Sequence, residues 1–487
     1  MKKDLNSGLK WVSFSKLIDT FFQILRIIVL TRLLNKEVFG LLALTMFFLS
    51  FTDLFLDMGI NATLYHKKDI DDDEWSSLFW FNIIFRSFIY LILCLITPVI
   101  VHFYHLNELY YLIPIAGLNI IFSFGSLFST YLQKNLLFKN VSIINSIGTI
   151  ISFILSVFLA YKGQGVYSLI IPILFVSLIT SLFFIEKSIR RIKISFYFNF
   201  SKITPFLKLG SYDVASRFLD FFSRDIDTIL VGKYFGVIEL GAYSVVKQIV
   251  LRLYGLINPI ISQVTIPIFS KINQDKEKIK TYFLDLLEIT TTINFPLFFF
   301  LAISSKSILS LLFGQQYVQS YNIFSILLLS YSINIIAGLA SILIVALGKL
   351  KYGFYWTILR SLIAPITLVY ACQYSLSTVV ISQLLLSLVY IYPFWYVSIY
   401  KIIGVSFLTY IKSVYLPFVI CVLLLLIFRF FNFSNITKIN YLDIFINLII
   451  FLPAYLLVIY FFKKEKLTYL YNLLINKSQT NESHNIQ

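Results

Sequence analysis

SKLIDTF (15–21) and SRFLDFFSRDID (216–227) set acids and bases inside runs apolar enough to lie in a lipid bilayer. Both begin Ser, base, two apolar residues, Asp. Shifting the chain by 201 positions superposes Ser15–Asp19 on Ser216–Asp220 without a gap. Phe21 then meets Phe222, Ile28 meets Ile229, Arg32 meets Lys233 and Gly40 meets Gly241. A base, an acid, a second base and a glycine in register are more than shared apolarity produces. The match predicts a unit duplicated in parallel, an architecture known among secondary transporters.

The surrounding composition sets the medium. Of 487 residues, 59% are hydrophobic and 13% charged, and the mean hydropathy is +0.84. No soluble core of this length hides so much apolar surface. Apolar runs long enough to cross about 30 Å of hydrocarbon recur from end to end. They predict an all-α polytopic membrane protein of about 14 transmembrane helices. The spans fall near 11–31, 39–60, 77–101, 109–132, 141–160, 166–186, 206–231, 240–270, 282–303, 318–347, 352–372, 376–399, 413–428 and 441–462. The short alternating segments of a transmembrane barrel do not occur.

The net charge of +16 is a matter of topology. Assigned to alternate sides, 24 of the loop and tail Lys and Arg residues share the side of the termini and 7 the other. Positive-inside asymmetry then expects both termini in the cytoplasm, and no nucleic acid as partner. The opening MKKDLNSGLK lacks a small-residue cleavage site and reads as a retained basic end. The basic link 187–204 divides six spans from six. The expected organisation is 1–200 as a first lobe, 201–402 as a second, 403–463 as two additional helices, and 464–487 as a polar cytoplasmic tail.

Cys94, Cys372 and Cys421 sit in apolar runs and read as inert. The four histidines make no metal pattern, and no Gly-rich phosphate loop occurs. Nothing implies a cofactor, a metal or an enzyme.

The charges within spans carry the functional reading, because each costs about 2.5–3.5 kcal/mol or more unless it faces a cavity or a partner. Nine bases and about eight acids occupy such positions. At 3.6 residues per turn, Asp213, Arg217, Asp220, Arg224 and Asp227 share one narrow helix face. Lys16, Asp19, Gln23 and Arg26 share another. Each stripe is either a hydrated cavity wall or a ladder of alternating charges latching the two halves. Asp225 lies off the stripe.

Four stretches carry a family resemblance: GLKWVSFSKLIDTFFQILRIIVLTRLLNKEVFGLLAL (8–44), DLFLDMGINATL (53–64), RDIDTILVGKYFGVIELGAYSV (224–245) and INPIISQVTIPIFSKI (257–272). The chain resembles the Wzx-type polysaccharide flippases of the multidrug/oligosaccharidyl-lipid/polysaccharide (MOP) exporter superfamily, nearest its colanic- and teichuronic-acid exporter branch. The resemblance implies a V-shaped, MATE-like bundle of two pseudo-symmetric six-helix lobes plus two peripheral helices, working by alternating access. It implies a lipid-linked oligosaccharide on undecaprenyl pyrophosphate as cargo, for O-antigen, lipopolysaccharide, capsule or exopolysaccharide synthesis. It also implies a polymerase and glycosyltransferases as neighbours. The near balance of intramembrane bases and acids departs from the family's cationic lumen.

Arg and Lys suit pyrophosphate because they form charge-assisted bonds to its oxygens. The substrate-binding candidates are Lys16, Arg26, Arg86, Arg217, Arg224, Lys247, Arg252 and Arg360. A buried acid beside a base can exchange a proton. The coupling or gating candidates are accordingly Asp19, Asp57, Asp213, Asp220, Asp227 and Glu288. Two other readings compete: a multidrug or small-solute antiporter of the same superfamily, and a non-transporting scaffold for glycan-synthesis enzymes.

Overall fold

The computed structural model describes residues 2–56, 64, 70–189, 192–272, 275–431 and 440–482, among which there are helices and no strands. The long helices are α1 (Lys2–Leu33), α2 (Lys36–Leu56), α3 (Asp72–Tyr104), α4 (Leu109–Phe122), α5 (Ser126–Lys134), α6 (Phe138–Tyr161), α7 (Tyr167–Ile189) and α8 (Phe200–Lys271). They continue as α9 (Lys276–Ile303), α10 (Tyr321–Ala346), α11 (Leu350–Cys372), α12 (Leu376–Val389), α13 (Phe407–Phe430) and α14 (Asn440–Glu482).

Twelve segments among the described residues are long and apolar enough to cross a membrane. Two further crossings escape that criterion for physical reasons. Helix α1 carries Lys16, Asp19 and Arg26 within its apolar stretch. Helix α8 is two helices joined at Gly236, whose φ of 81° and ψ of 175° interrupt the helical ladder; a side chain is strained there and glycine is not. The halves are α8a before Gly236 and α8b after it. Adding these two crossings gives about fourteen, as the apolar runs predict.

The chain forms two compact units. The first comprises 1–257 and 351–386, the second 258–350 and 387–487. In the second, the Phe418 ring of α13 meets Phe295 and Phe299 of α9 at 5.6 and 6.0 Å. Tyr455 of α14 donates to the Thr292 carbonyl at 2.8 Å. Glu288 is buried on α9 in this unit.

The first unit is built on small-residue seams, the usual means of close helix approach in lipid. Helix α6 buries Ser142, Ser146, Gly148, Ser152 and Ser156. The Ser15 hydroxyl of α1 lies 2.8 Å from that of Ser146 and donates to the Ser142 carbonyl at 3.2 Å. Helix α3 starts with a capping box between Asp71 and Glu74. Lys202, at the start of α8a, pairs with Asp71 and Asp73 at 3.1 Å each. The hydrogen bond that Lys202 donates to Asp71 raises its pKa above the ordinary lysine value, desolvation opposes it, and the bond to Asp73 adds to it.

The α1–α2 turn and the α8a–α8b turn meet within this unit, and their contact is reciprocal. A Cβ added to Gly40 would lie 1.9 Å from the carbonyl oxygen of Val237. A Cβ added to Gly241 would lie 1.8 Å from the carbonyl oxygen of Lys36. The 201-residue shift that turns 40 into 241 also turns 36 into 237. The two copies of the repeat therefore touch each other through equivalent residues, backbone against backbone, where only glycine fits. Below this crossing the Phe47 ring of α2 meets Phe221 of α8a at 4.9 Å. Phe51 meets Phe218 and Phe222 at 6.0 and 6.1 Å.

Candidate functional site

Below the glycine crossing lies a cavity of about 420 Å³, walled by α1, α2, α7, α8a and α8b. Its apolar wall includes Leu42, Met46, Phe47, Ile173 and Phe221. Its polar wall carries Arg26, Arg224, Lys247 and Arg252, with Gln23, Gln248 and one carboxylate, Asp225. Four bases from three helices converge on one space.

Their partners determine how much charge is left over. Arg26 donates to the Ser152 hydroxyl and the Leu169 carbonyl, both at 3.1 Å. Arg252 donates to the side-chain oxygen of Gln23, while its Nε is buried without an acceptor. Among the described residues neither arginine has a carboxylate partner, so both charges are held by neutral dipoles. Lys247 is different. Its ammonium lies 2.7 Å from Asp227 and 3.2 Å from Asp225, and its side chain is 7% exposed. Asp227 also accepts from Tyr243 and from Gln383 of α12. Arg224, 54% exposed, pairs with Asp225 at 3.0 Å. Counting Asp227 behind the wall, four bases face two acids, and the cavity is cationic. The near balance over all spans conceals this, because Asp220 and Glu288 lie elsewhere and Asp19 lines a separate chamber.

A second chamber of about 430 Å³ adjoins the first and shares Gln23, Arg26 and Ile173 with it. It lies among α1, α4, α6 and α7, and its polar groups are mostly amides and hydroxyls. Asp19 is its acid.

The candidate residues thus divide. Arg26, Arg224, Lys247 and Arg252 come together, and Asp227 backs them. Arg360 of α11 pairs instead with Asp220 of α8a at 2.5 Å, outside both cavities. Lys16 and Arg217 are exposed and line neither.

Arg86, expected to bind substrate, is 6% exposed and serves the break between α4 and α5. It donates to Asn82 at 2.6 Å, the Ile120 carbonyl at 2.9 Å, Ser123 at 2.7 Å and Ser126 at 2.8 Å. An interrupted helix in lipid leaves carbonyls that need donors, and a guanidinium supplies several at once. Glu288 belongs to the other unit. Asp57 and the side chain of Asp213 lie outside the described residues.

The stripe on α8a is split among neighbours. Asp220 reaches α11, Arg224 reaches the cavity, and Asp227 turns away to Tyr243. Asp225, off the stripe, is the carboxylate that faces the cavity. A helix packed on several sides satisfies its charges in several directions, which periodicity alone does not specify. Gln248, Tyr243, Gln383, Asn119 and Asn145 were not among the sequence candidates. Their signal is an uncharged polar side chain inside an apolar run.

Residues 29–322 match the family model described as polysaccharide biosynthesis protein. The chain is 26% identical over 421 residues to the teichuronic acid biosynthesis protein TuaB of Bacillus subtilis, covering 86% of this chain and 87% of that one. It is 23% identical over 414 residues to the lipopolysaccharide biosynthesis protein WzxC of Escherichia coli, covering 85% and 84%. Among solved structures, the lipid II flippase MurJ in an inward closed conformation superposes with a TM-score of 0.76 at 18% identity, over 94% of this chain and 99% of that one. That likeness establishes the fold.

Proposed function

The chain belongs to the polysaccharide biosynthesis protein family, and from that premise we propose that it is a membrane flippase moving lipid-linked oligosaccharides between leaflets. The observation that carries the reading is the cationic cavity. Arg26 and Arg252 hold charges that no carboxylate among the described residues neutralises, and their surplus matches the two ionised oxygens of a diphosphate diester. Guanidinium groups held by neutral dipoles bind such oxygens in charge-assisted pairs. A cavity of this sign favours anionic cargo over the cationic drugs a multidrug antiporter would take.

In this reading 1–200 and 201–402 are the two lobes, and the termini are cytoplasmic. The glycine crossing then closes the outer end while the cavity receives cargo from within. The loaded headgroup crosses while its polyprenyl tail stays in lipid. Genes for a polymerase and glycosyltransferases are expected beside this one.

The test is complementation in a bacterium lacking its own surface-polysaccharide exporter. Wild-type chain is expected to restore surface glycan. Arg26→Gln and Arg252→Gln are each expected to lower it about tenfold or more, since one lost charged hydrogen bond is worth about 1.5–3 kcal/mol. Lipid-linked precursor should accumulate inside at unchanged protein level. Export at wild-type level by both variants refutes the cavity assignment. A scaffold would instead lose precursor synthesis.

A further inference from the structure

The second chamber is not needed to hold a diphosphate, and its chemistry differs from that of the first. Its polar lining includes Asn119 of α4, Asn145 and Thr149 of α6, and Thr180 of α7, with Phe22 of α1 as an aromatic surface. Two of its acceptors, Asp19 Oδ1 and Asn119 Oδ1, are buried without a hydrogen-bond donor. A buried unsatisfied acceptor is costly, so a pair bordering one chamber points to a ligand rich in donors. The volume of about 430 Å³ falls in the range of small-molecule sites, roughly 300–1,000 Å³.

Two classes of ligand bring donors or positive charge to such oxygens: a cation, and the hydroxyls of a sugar. The position of Arg26 decides between them. Its guanidinium lines this chamber as well as the first and bonds Ser152 on the chamber wall, so a bare cation beside it is repelled. A cation also wants six or more oxygens drawn close around it, and the chamber is far wider than that. A pyranose meets each demand. Its hydroxyls donate to Asp19, to Asn119 and to the Thr149 oxygen, whose own proton goes to the Asn145 carbonyl, and its C–H face packs on Phe22.

We propose that this chamber is the sugar subsite of the flippase: Arg26 and Gln23 mark the junction between diphosphate and glycan, and the sugar attached to the diphosphate lies among α1, α4, α6 and α7. The proposal rests on the flippase reading and adds to it a place where the glycan is recognised. The uncharged amides and hydroxyls here, rather than the arginines, then discriminate one repeat unit from another.

The experiment compares binding of polyprenyl diphosphate, bare or carrying a single hexose or N-acetylhexosamine, to the purified full chain. Wild-type protein is expected to bind at least one sugar-bearing lipid about tenfold more tightly than the bare one. Asn119→Leu and Thr149→Val are each expected to remove most of that preference, leaving affinity for the bare diphosphate unchanged. Thr149→Val is nearly isosteric and guards against a folding defect at Asn119.

Equal affinity of wild type for all three lipids overturns the subsite. So does an equal loss for bare and sugar-bearing lipids in both variants, which would make the chamber part of the diphosphate site. Sodium-dependent affinity without a sugar preference overturns it in favour of a cation site. Wild-type protein that binds none of the lipids overturns the flippase reading, and this inference with it.

Discussion

On the flippase reading, in which the glycine crossing closes one end of the cavity, a methyl group at the crossing is expected to open that end. A Cβ at Gly40 would stand 1.9 Å from the Val237 carbonyl oxygen, where ordinary contact begins at 3.4 Å. The backbones must therefore part by roughly 1.5 Å in Gly40→Ala, and a similar amount in Gly241→Ala. The obstacle on each side is a peptide carbonyl, not a side chain that swings aside. Overpacking of this kind costs about 1–3 kcal/mol, all of it charged to the closed state. That range shifts the open-to-closed ratio about 5- to 150-fold.

The assay is labelling of a cysteine at Ser50, which lines the cavity, by an impermeant maleimide added on the side of the α1–α2 turn. Cys94, Cys372 and Cys421 are first replaced. Either alanine should raise the labelling rate within that range. The double variant should fall short of the product, because one parting of the helices relieves both clashes. Gly255→Ala is the control, since nothing lies within 4 Å of a Cβ there. Labelling of Gly40→Ala at the wild-type rate, in protein that elutes as a folded monodisperse species, refutes the reasoning.

Three further outcomes follow from buried and capping groups. Lys247→Met strands Asp227 in a buried site and is expected to cost about 3–5 kcal/mol; Lys247→Met with Asp227→Asn should recover much of the lost thermal stability, and no recovery would show that the pair is not the cause. Arg86→Leu should lower folded yield by removing donors from the α4–α5 break, with transport per folded molecule retained; a selective transport loss would return Arg86 to the substrate path. Asp275 caps α9 by accepting from the Lys278 amide at 3.1 Å, and that bond, followed by the Lys278 ammonium, holds its carboxyl below the usual aspartate range. Its contribution is present above the ordinary aspartate pKa and lost as pH falls through the depressed one. Asp275→Ala should therefore melt earlier than wild type at neutral pH, with the gap closing in acid; a gap constant with pH refutes the cap.

The number of crossings was legible because span length is dictated by the bilayer, and the repeat because glycines and charges mark register where apolar residues do not. The site was legible only in part. Periodicity placed Arg224 and Asp227 on one helix face, yet the structure turns one to a cavity and the other to Tyr243. That outcome depends on which helices stand at each side, which no single helix encodes. The structural bonds of Arg86 were not legible because the run 109–132 reads as one uninterrupted span, and the break that its guanidinium serves lies inside it. Asn119 and Asn145 passed unremarked because a neutral amide lowers hydropathy too little to stand out, although its unmet hydrogen bonds carry as much information as a charge.

The glycine crossing also has the symmetry of a two-part assembly. A contact in which one residue meets a second while their counterparts meet in return is the geometry of an isologous dimer interface. Here both partners are covalently joined, so each half is free to change where its sister does not. The equivalent positions 23 and 224 now hold Gln and Arg, and 26 and 227 hold Arg and Asp. A two-fold dimer of identical chains must repeat every charge across its axis. A cavity walled by two unlike halves of one chain carries no such obligation, and the symmetry persists at the crossing, where neither glycine has room for a side chain.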